Sequence, residues 1–456
     1  MASGRVPNTQ RMRRFLPEPD VMDETNGTRR EWGGLRSPVM RVVHLTTEFP
    51  WPATSGGPVR TLSQLRIIAS LPEVESITLL SVTEEHVPSA HVRALEAAVD
   101  KLRVVPPVFH PIHLFDFKRY VPRVVALRLL GVPYLAGKWD SRELRSTLRR
   151  ELLANPVDVV YVDHLGMGRY LPDIEAERPF CRKVLDQHNV ESDFFKQFAD
   201  EKTGPKKVVA KAEHAAARRF EERTLRSVDA VVAISHEDAK HFRALAGRDA
   251  HVVPVVMTFE RKARPHPGRP HFCYVGSLRW KPNVMGLDWF CQKVWPLVRK
   301  RVPDATFEIA GVGLKPDASG RLPVPEAWKG PGIETVGFLE DLEPLYARSL
   351  GMLAPITGGS GVRLKLLEGF RAGMPVVTTP DGAFGLPLED GKEALIASDP
   401  DAFAERIERL ANDAALRERV REGGYAFLEE HHSLAVAQRA MRAALGLARR
   451  QPAARA

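Results

Sequence analysis

The stretch between Thr357 and Val377 gathers glycines, two cations and a carboxylate at one point of the chain. Gly358, Gly359, Ser360 and Gly361 lead into Arg363, Lys365 and Glu368, and the β-type run Met352–Ile356 ends just before them. A strand that passes through a glycine loop into a helix leaves free backbone N–H groups at the positive end of the helix dipole. Arg363 and Lys365 fall where that helix begins, and basic side chains there oppose the dipole unless an anion is bound. Glu368 stands three residues after Lys365 and shares its face. Leu364, Leu366, Leu367 and Phe370 make the rest of the helix apolar, so it is expected to be buried with Glu368 opening onto something particular. The chemistry suggested is recognition of a phosphate ester. On spacing alone, a Lys365–Glu368 surface ion pair worth ~0.3–0.5 kcal/mol serves equally well.

A second cluster repeats the pattern. Tyr274-Val275-Gly276-Ser277-Leu278-Arg279-Trp280-Lys281-Pro282-Asn283 is a strand end, a glycine turn and a helix start. Arg279 and Lys281 would meet a phosphate if this turn faces the same cleft, and would otherwise form a solvated basic loop. His188 and His164 each follow an apolar strand. His188 is read as functional and His164 as a hydrogen-bonded structural residue. Gly311-Val312-Gly313 lacks the third glycine of a dinucleotide fingerprint, because position 316 is Pro316. Asp399-Pro400-Asp401, the only short Asp-x-Asp in this half, opens a helix and reads as a cap rather than a metal ligand pair.

The elements that must position these residues alternate between short β-branched runs and amphipathic helices. Runs at Val39–Leu45, Ile77–Val82, Val157–Val162, Lys183–Leu185, Ala230–Ile234 and His251–Val256 are separated by helical patterns such as Ser141–Leu153 and Lys211–Leu225. The stretch Phe259–His271, rich in Pro, Arg and His, interrupts the pattern. Alternation then restarts with strands at Phe272–Val275, Thr306–Ala310, Ile333–Val336, Met352–Ile356 and Pro375–Thr378. Helices are expected over Val284–Arg301, Asp401–Ala411, Ala415–Glu430 and Leu434–Arg449. The implied α/β chain has two Rossmann-like, doubly wound lobes facing across a cleft. Its expected divisions are a disordered basic tail at 1–39, a first lobe at 40–257, a linker at 258–271, a second lobe at 272–432, and at 433–456 a helix packing back on the first lobe.

Composition narrows the class further. The 456 residues are 44% hydrophobic and 27% charged, ordinary for a globular protein. No run reaches the ~18 apolar residues of a membrane span, and no signal-peptide core opens the chain. Cys181, Cys273 and Cys291 are scattered and odd in number, which fits a reducing, cytoplasmic setting and excludes a disulfide framework. The net charge of +9 suits a polyanionic partner. Basic stretches at Lys118–Arg128, Arg145–Arg150, Lys202–Lys211 and Arg218–Arg226 lack the aromatic interleaving of single-strand nucleic-acid binders. They are read as solvated faces, with peripheral contact to an anionic membrane as the functional alternative.

The run Tyr274–Asn283, Val294-Trp295-Pro296, Val302-Pro303-Asp304-Ala305, Val336-Gly337-Phe338 and the Arg363–Gly373 helix resemble the second lobe of retaining GT-B glycosyltransferases, the large family-4 group. Gly56-Gly57-Pro58-Val59-Arg60 and Asp186-Gln187-His188-Asn189-Val190-Glu191 extend the likeness to the first lobe. The resemblance implies sugar transfer from a nucleotide-sugar donor to an acceptor the sequence does not identify, without metal or cofactor. It implies Glu368 at the donor ribose, Phe338 at the base, and Arg363 and Lys365, helped by Arg279 or Lys281, at the diphosphate. Gly276, Ser360 and Gly361 would lie along the donor, Gly56 and Gly57 over its phosphates and sugar, and His188 at the reacting carbon. Two positions depart from the family. Ser360 replaces the first glutamate of its E-x7-E motif, and Ser277 stands where an arginine is usual. Competing expectations are a GT-B nucleotide-sugar epimerase or phosphorylase, and a catalytically silent nucleotide-sugar-binding protein.

Overall fold

The structure, a computed structural model, describes residues 39–53, 56–110, 129, 131–264, 266–314, 322–358 and 363–447. Residues 1–38 of the expected tail and the basic stretch Lys118–Arg128 lie outside these. Ser360 and Gly361 do as well.

The first lobe is built on β1 (Met40–Thr46), β2 (Val74–Thr83), β3 (Leu102–Val104), β4 (Val108–Phe109), β5 (Val159–Asp163), β6 (Arg182–Gln187), β7 (Ala230–Ala233) and β8 (Ala250–Val252). Their order is β3-β2-β1-β5-β6-β7-β8, with β4 on the end of β2, and every pairing is parallel. Parallel strands need apolar residues on both faces because helices cover both. Along β5, Val160 and Val162 enter one core while Val159 and Tyr161 enter the other. The second lobe repeats the plan with β9 (His271–Val275), β10 (Thr306–Ala310), β11 (Ile333–Gly337), β12 (Gly351–Ala354), β13 (Val376–Thr378) and β14 (Leu395–Ile396), ordered β11-β10-β9-β12-β13-β14 and again all parallel. The doubly wound two-lobed α/β fold expected from the sequence is the one observed.

Strand order reverses between β1 and β5 in one lobe and between β9 and β12 in the other. Loops leaving opposite ways from such a switch point open a crevice at the carboxyl ends of the strands. The last helix, Leu434–Ala444, crosses back to the first lobe and buries Ala437, Met441 and Ala444 in its core. Gln438 donates to Ser70 Oγ at 2.9 Å, and Arg442 pairs with Glu73 at 2.6 Å.

Some elements differ from expectation. His271 opens β9 instead of closing the linker. The helix expected over Val284–Arg301 is three pieces: Lys281–Trp289, a π turn at Phe290–Val294, and Trp295–Arg301. Pro296 has no N–H to give and its ring would crowd the preceding turn, so the ladder widens and Trp295 N–H reaches Phe290 O. The two- and three-residue strands β3, β4 and β14 are too short to carry a period.

The helix Lys281–Trp289 lies against the chain leaving β12. A Cβ on Gly286 would stand 1.7 Å from the Pro355 carbonyl oxygen. Gly286→Ala must push that helix off the sheet, and we expect it to cost about 2–4 kcal/mol in urea denaturation. Unchanged stability would mean that this contact does not set the helix position.

Candidate active site

The two switch points face each other across a cleft of about 740 Å³. Gly56, Gly57, Arg60, His164 and His188 line it from the first lobe, and Gly276, Trp280, Asn283, Arg363, Lys365 and Glu368 from the second.

Arg363 immediately precedes the helix Leu364–Arg371, whose apolar face (Leu366, Leu367 and Phe370) is buried. Arg363 is 4% exposed, and its guanidinium donates to Gly358 O at 3.0 Å and Asp381 O at 3.2 Å and lies 5.8 Å from the Trp280 ring. Burial draws its pKa below the usual arginine value. Lys365, in the first turn, donates from Nζ to Tyr274 Oη at 2.8 Å and Asn283 Oδ1 at 2.7 Å. Both acceptors are neutral, and the ammonium sits 4.4 Å above the Tyr274 ring. Burial first, and the Arg363 charge second, lower its pKa to about 7. Gly276 permits this packing, because a Cβ there would stand 2.8 Å from Tyr274 Oη and 3.0 Å from Lys365 Nζ.

Glu368 lines the cleft but pairs with Arg371 at 2.7 Å, so the Lys365–Glu368 surface pair is not formed. Three other candidates fall outside the lining. Lys281, first in its helix, turns outward to pair with Glu201 at 3.0 Å, while Asn283 two residues on is buried and faces Lys365. Arg279 is exposed, and Phe338 is 60% exposed beyond β11.

The first-lobe half is organised by two buried carboxylates at strand ends. Asp186, ending β6 with Gln187, accepts from Arg60 at 2.6 Å and Tyr161 Oη at 2.9 Å. The glycine-loop helix Gly56–Ala69 and the Asp186–Glu191 segment are therefore one unit, joined by a fully buried ion pair. Asp163, closing β5, accepts from Thr61 Oγ1 at 2.7 Å and contacts His188 Nε2 at 2.7 Å and His44 Nε2 at 3.3 Å. His164 Nδ1 is 3.4 Å from Asp163, and His164 Nε2 is 3.8 Å from Glu48. Burial would raise Asp163, but His188 and His164 hold it well below the carboxylate range. Burial would lower His164, but Asp163 and Glu48 lift it above the ordinary imidazole value. His188 is lowered, by burial and then by the His164 charge, while burial raises Glu48. The His188 and His164 rings lie tilted against each other, their centroids 3.8 Å apart.

His164, read from the sequence as a hydrogen-bonded structural residue, lines the cleft and contacts Asp163 and Glu48. Its backbone is held at φ 75°, a strained region for a bulky residue that costs about 1–3 kcal/mol. Glu48 and Asp163 were also missed. The signal for Asp163 was present, a carboxylate ending an apolar strand beside a histidine. Glu48 carries only an indirect sign: a Cβ on Gly57 would lie 2.6 Å from its carboxylate oxygens. Among the described residues, Glu48–His164–His188 and Asp163–Asp186–His188 have ligand atoms within 4.8 Å of one another, the spacing a metal would need. In the second group Arg60, Tyr161, Thr61 and His44 already occupy the carboxylates. Asp399 caps the helix Pro400–Asn412 through Ala402 N at 2.9 Å.

Comparison with known proteins agrees with this architecture. Residues 269–413 match the family described as Glycosyl transferases group 1. Most of the chain resembles an uncharacterized 44.6 kDa protein in the cps region of Klebsiella pneumoniae, 24% identical over 402 residues that cover 86% of this chain and 96% of the relative. Among solved structures, sucrose-phosphate synthase from Thermosynechococcus elongatus superposes with a TM-score of 0.61 at 13% identity, covering 89% of this chain and 99% of that one. HepE of Anabaena, solved with UDP and glucose, gives 0.59 at 14% identity over 89% and 99%. TarM gives 0.61 at 11% identity over 89% and 98%. The fold is GT-B, and with the family match in the second lobe it supports a glycosyltransferase of that type.

The lysine geometry has a consequence for stability. Lys365 has a folded pKa of about 7, below the ~10.4 of an unfolded lysine, so the unfolded chain binds the proton more tightly between those values. Its contribution to the ligand-free protein is fully unfavourable below pH 7 and relieved as pH rises towards 10. Lys365→Met is expected to stabilise the ligand-free protein at pH 7 by about 1–2 kcal/mol and to lose most of that advantage by pH 10. Denaturation of both proteins across this range checks it, and a variant less stable than the parent at pH 7 would refute the desolvation argument.

Proposed function

We propose that the protein transfers a glycosyl group from a nucleoside-diphosphate sugar to an acceptor hydroxyl, with retention at the anomeric carbon and without a required metal ion. The observation that carries this reading is the pair Arg363 and Lys365, buried in the interlobe cleft at the open start of a helix. Two desolvated cations at a helix N-terminus match a diphosphate in charge, and their stabilisation grows as the leaving group gains charge. As the bond from the anomeric carbon to the diphosphate breaks, its electron pair passes to the phosphate oxygen beside these cations. The acceptor hydroxyl forms the new bond, and its proton passes to the departing diphosphate. Fixed cations thereby supply the charge stabilisation for which other enzymes use a metal.

Glu368, at the cleft edge beside Arg371, is assigned to the donor ribose. His188, held by Asp163, is assigned to the transferred sugar, with Gly56 and Gly57 closing over the phosphates. HepE was solved with UDP and with UDP-glucose, which makes uracil the first base to test here. The relative from a cps region supports polysaccharide biosynthesis as the setting.

A thermal-shift screen of UDP, GDP and ADP in chelator tests the donor side. One of them, at ~100 times its dissociation constant, should add roughly 2.7 kcal/mol of stability. Stabilisation by none, or only after a divalent ion is restored, would count against the reading. Glu368→Gln removes a charged acceptor worth ~1.5–3 kcal/mol, so nucleotide affinity should drop at least about tenfold. His188→Ala should bind nucleotide like the parent and lose turnover. A Glu368→Gln protein with parental affinity and turnover would remove Glu368 from the site.

A further inference from the structure

Asp163 faces two histidines at once, and each ring keeps a second nitrogen for another partner. His188 Nε2 lies 2.7 Å from Asp163 Oδ1, which leaves its Nδ1. His164 Nδ1 lies 3.4 Å from the same oxygen and has no hydrogen-bond partner among the described residues, so a small turn of the ring completes that bond. Its Nε2 stands 3.8 Å from Glu48 Oε1. One ligand atom from each of Glu48, His164 and His188 lies within 4.8 Å of the others. Histidines that ligate a metal usually give their other ring N–H to a carboxylate, which fixes the tautomer and the ring direction. Here one buried aspartate serves both rings. Around a tetrahedral ion, nitrogen and oxygen ligands ~2.0–2.2 Å from the metal stand roughly 3.4 Å apart. The Glu48–His164 separation needs a shift of less than about half an ångström to reach that spacing.

The trio is held from several sides. His164 N–H donates to Asp186 O at 2.9 Å, and its ring packs against that of His188. Thr61 Oγ1 is 2.7 Å from Asp163 Oδ2 and 3.2 Å from Glu48 Oε1, so one hydroxyl sets the spacing of the two carboxylates. Glu48 and His164 keep 25% and 20% of their side-chain surface open, which gives an ion a way in. The alternative group of Asp163, Asp186 and His188 offers no such access, because both aspartates are fully buried and already bonded. Donor chemistry selects the ion. Two imidazoles and one carboxylate suit zinc, cobalt or nickel, whereas magnesium takes oxygen ligands.

We propose that Glu48, His164 and His188 bind one transition-metal ion of the zinc class on the first-lobe wall of the cleft. Three protein ligands leave a fourth position to water from the cleft. The ion takes His188, which the proposed function assigns to the transferred sugar, so zinc inhibits transfer. Only that inhibition rests on the glycosyltransferase reading. The site itself rests on the geometry of Asp163 and its two histidines.

Calorimetric titration with zinc chloride of the full chain, free of any histidine tag and of nucleotide, tests the site. At about pH 8, where ligand imidazoles give up their protons readily, one ion per chain should bind with a dissociation constant of about 1 μM or tighter. Glu48→Gln and His164→Asn should each weaken it at least about tenfold, and magnesium chloride should give no saturable binding. Cobalt(II) in place of zinc should show the visible absorption of a four-coordinate site, lost in both variants. Thermal melts verify folding, and Glu48→Gln carries the test if His164→Asn does not fold. In a transfer assay, saturating zinc should abolish turnover and chelator should restore it. No saturable zinc binding, binding that the folded variants leave unchanged, or equal binding of magnesium would overturn the site. Parental turnover at full zinc occupancy would overturn the inhibition. The site is decided by binding alone, so a protein without transfer activity would fail the glycosyltransferase reading and not this one.

Discussion

Two cations held out of water at the positive end of a helix are the constraint around which the cleft is built. Arg363 is almost wholly buried, and Lys365 is bonded only to neutral oxygens and a ring face. Neither placement is comfortable for the ligand-free protein. The second lobe carries it through close-fitting neighbours. Gly276 lets the lysine reach Tyr274, the helix start at Lys281 brings Asn283 to its other side, and Gly286 lets that helix lie on the Pro355 carbonyl. On the proposed function, a site that costs stability when empty would gain affinity from the diphosphate that fills it, the usual exchange between stability and function.

The first lobe meets this positive wall with a network of opposite character. Asp163 gathers His44, Thr61, His164 and His188 around one buried carboxylate, and Asp186 does the same for Arg60 and Tyr161. The two aspartates end adjacent strands, paired in register as Asp163 and Asp186. One register therefore fixes the glycine-loop helix and both histidines together. The strained backbone of His164 is maintained because its neighbours over-determine it.

How much of this could be read beforehand follows from the reach of each signal. The alternation of apolar runs and helices disclosed both lobes, because parallel strands buried on two faces leave an unmistakable composition. The glycine loop before Arg363 and Lys365 pointed to the two cations that line the cleft, because cations at a helix start are locally unfavourable. Contacts that depend on tertiary geometry stayed hidden. The partnership of Lys365 with Asn283 joins distant segments, so the nearer Lys281 and Arg279 looked equally suitable. Glu48 and His164 acquire meaning only when β1 and β5 lie side by side. Glu368 was correctly placed at the cleft, but its partner is Arg371, since helical spacing fits both neighbours.

If a diphosphate is the ligand, Lys365 passes from about half protonated in the empty cleft at neutral pH to fully protonated beside it. Calorimetric titration with a nucleoside-diphosphate sugar, whose phosphates do not titrate near pH 7, measures this directly when repeated in buffers of different ionisation enthalpy. With a folded pKa of about 7, binding at pH 7 should take up roughly half a proton. Affinity should then weaken as pH rises above 8, and Lys365→Met should abolish that uptake. Tight binding with no proton uptake and no pH dependence, or the same uptake in Lys365→Met, would contradict the account.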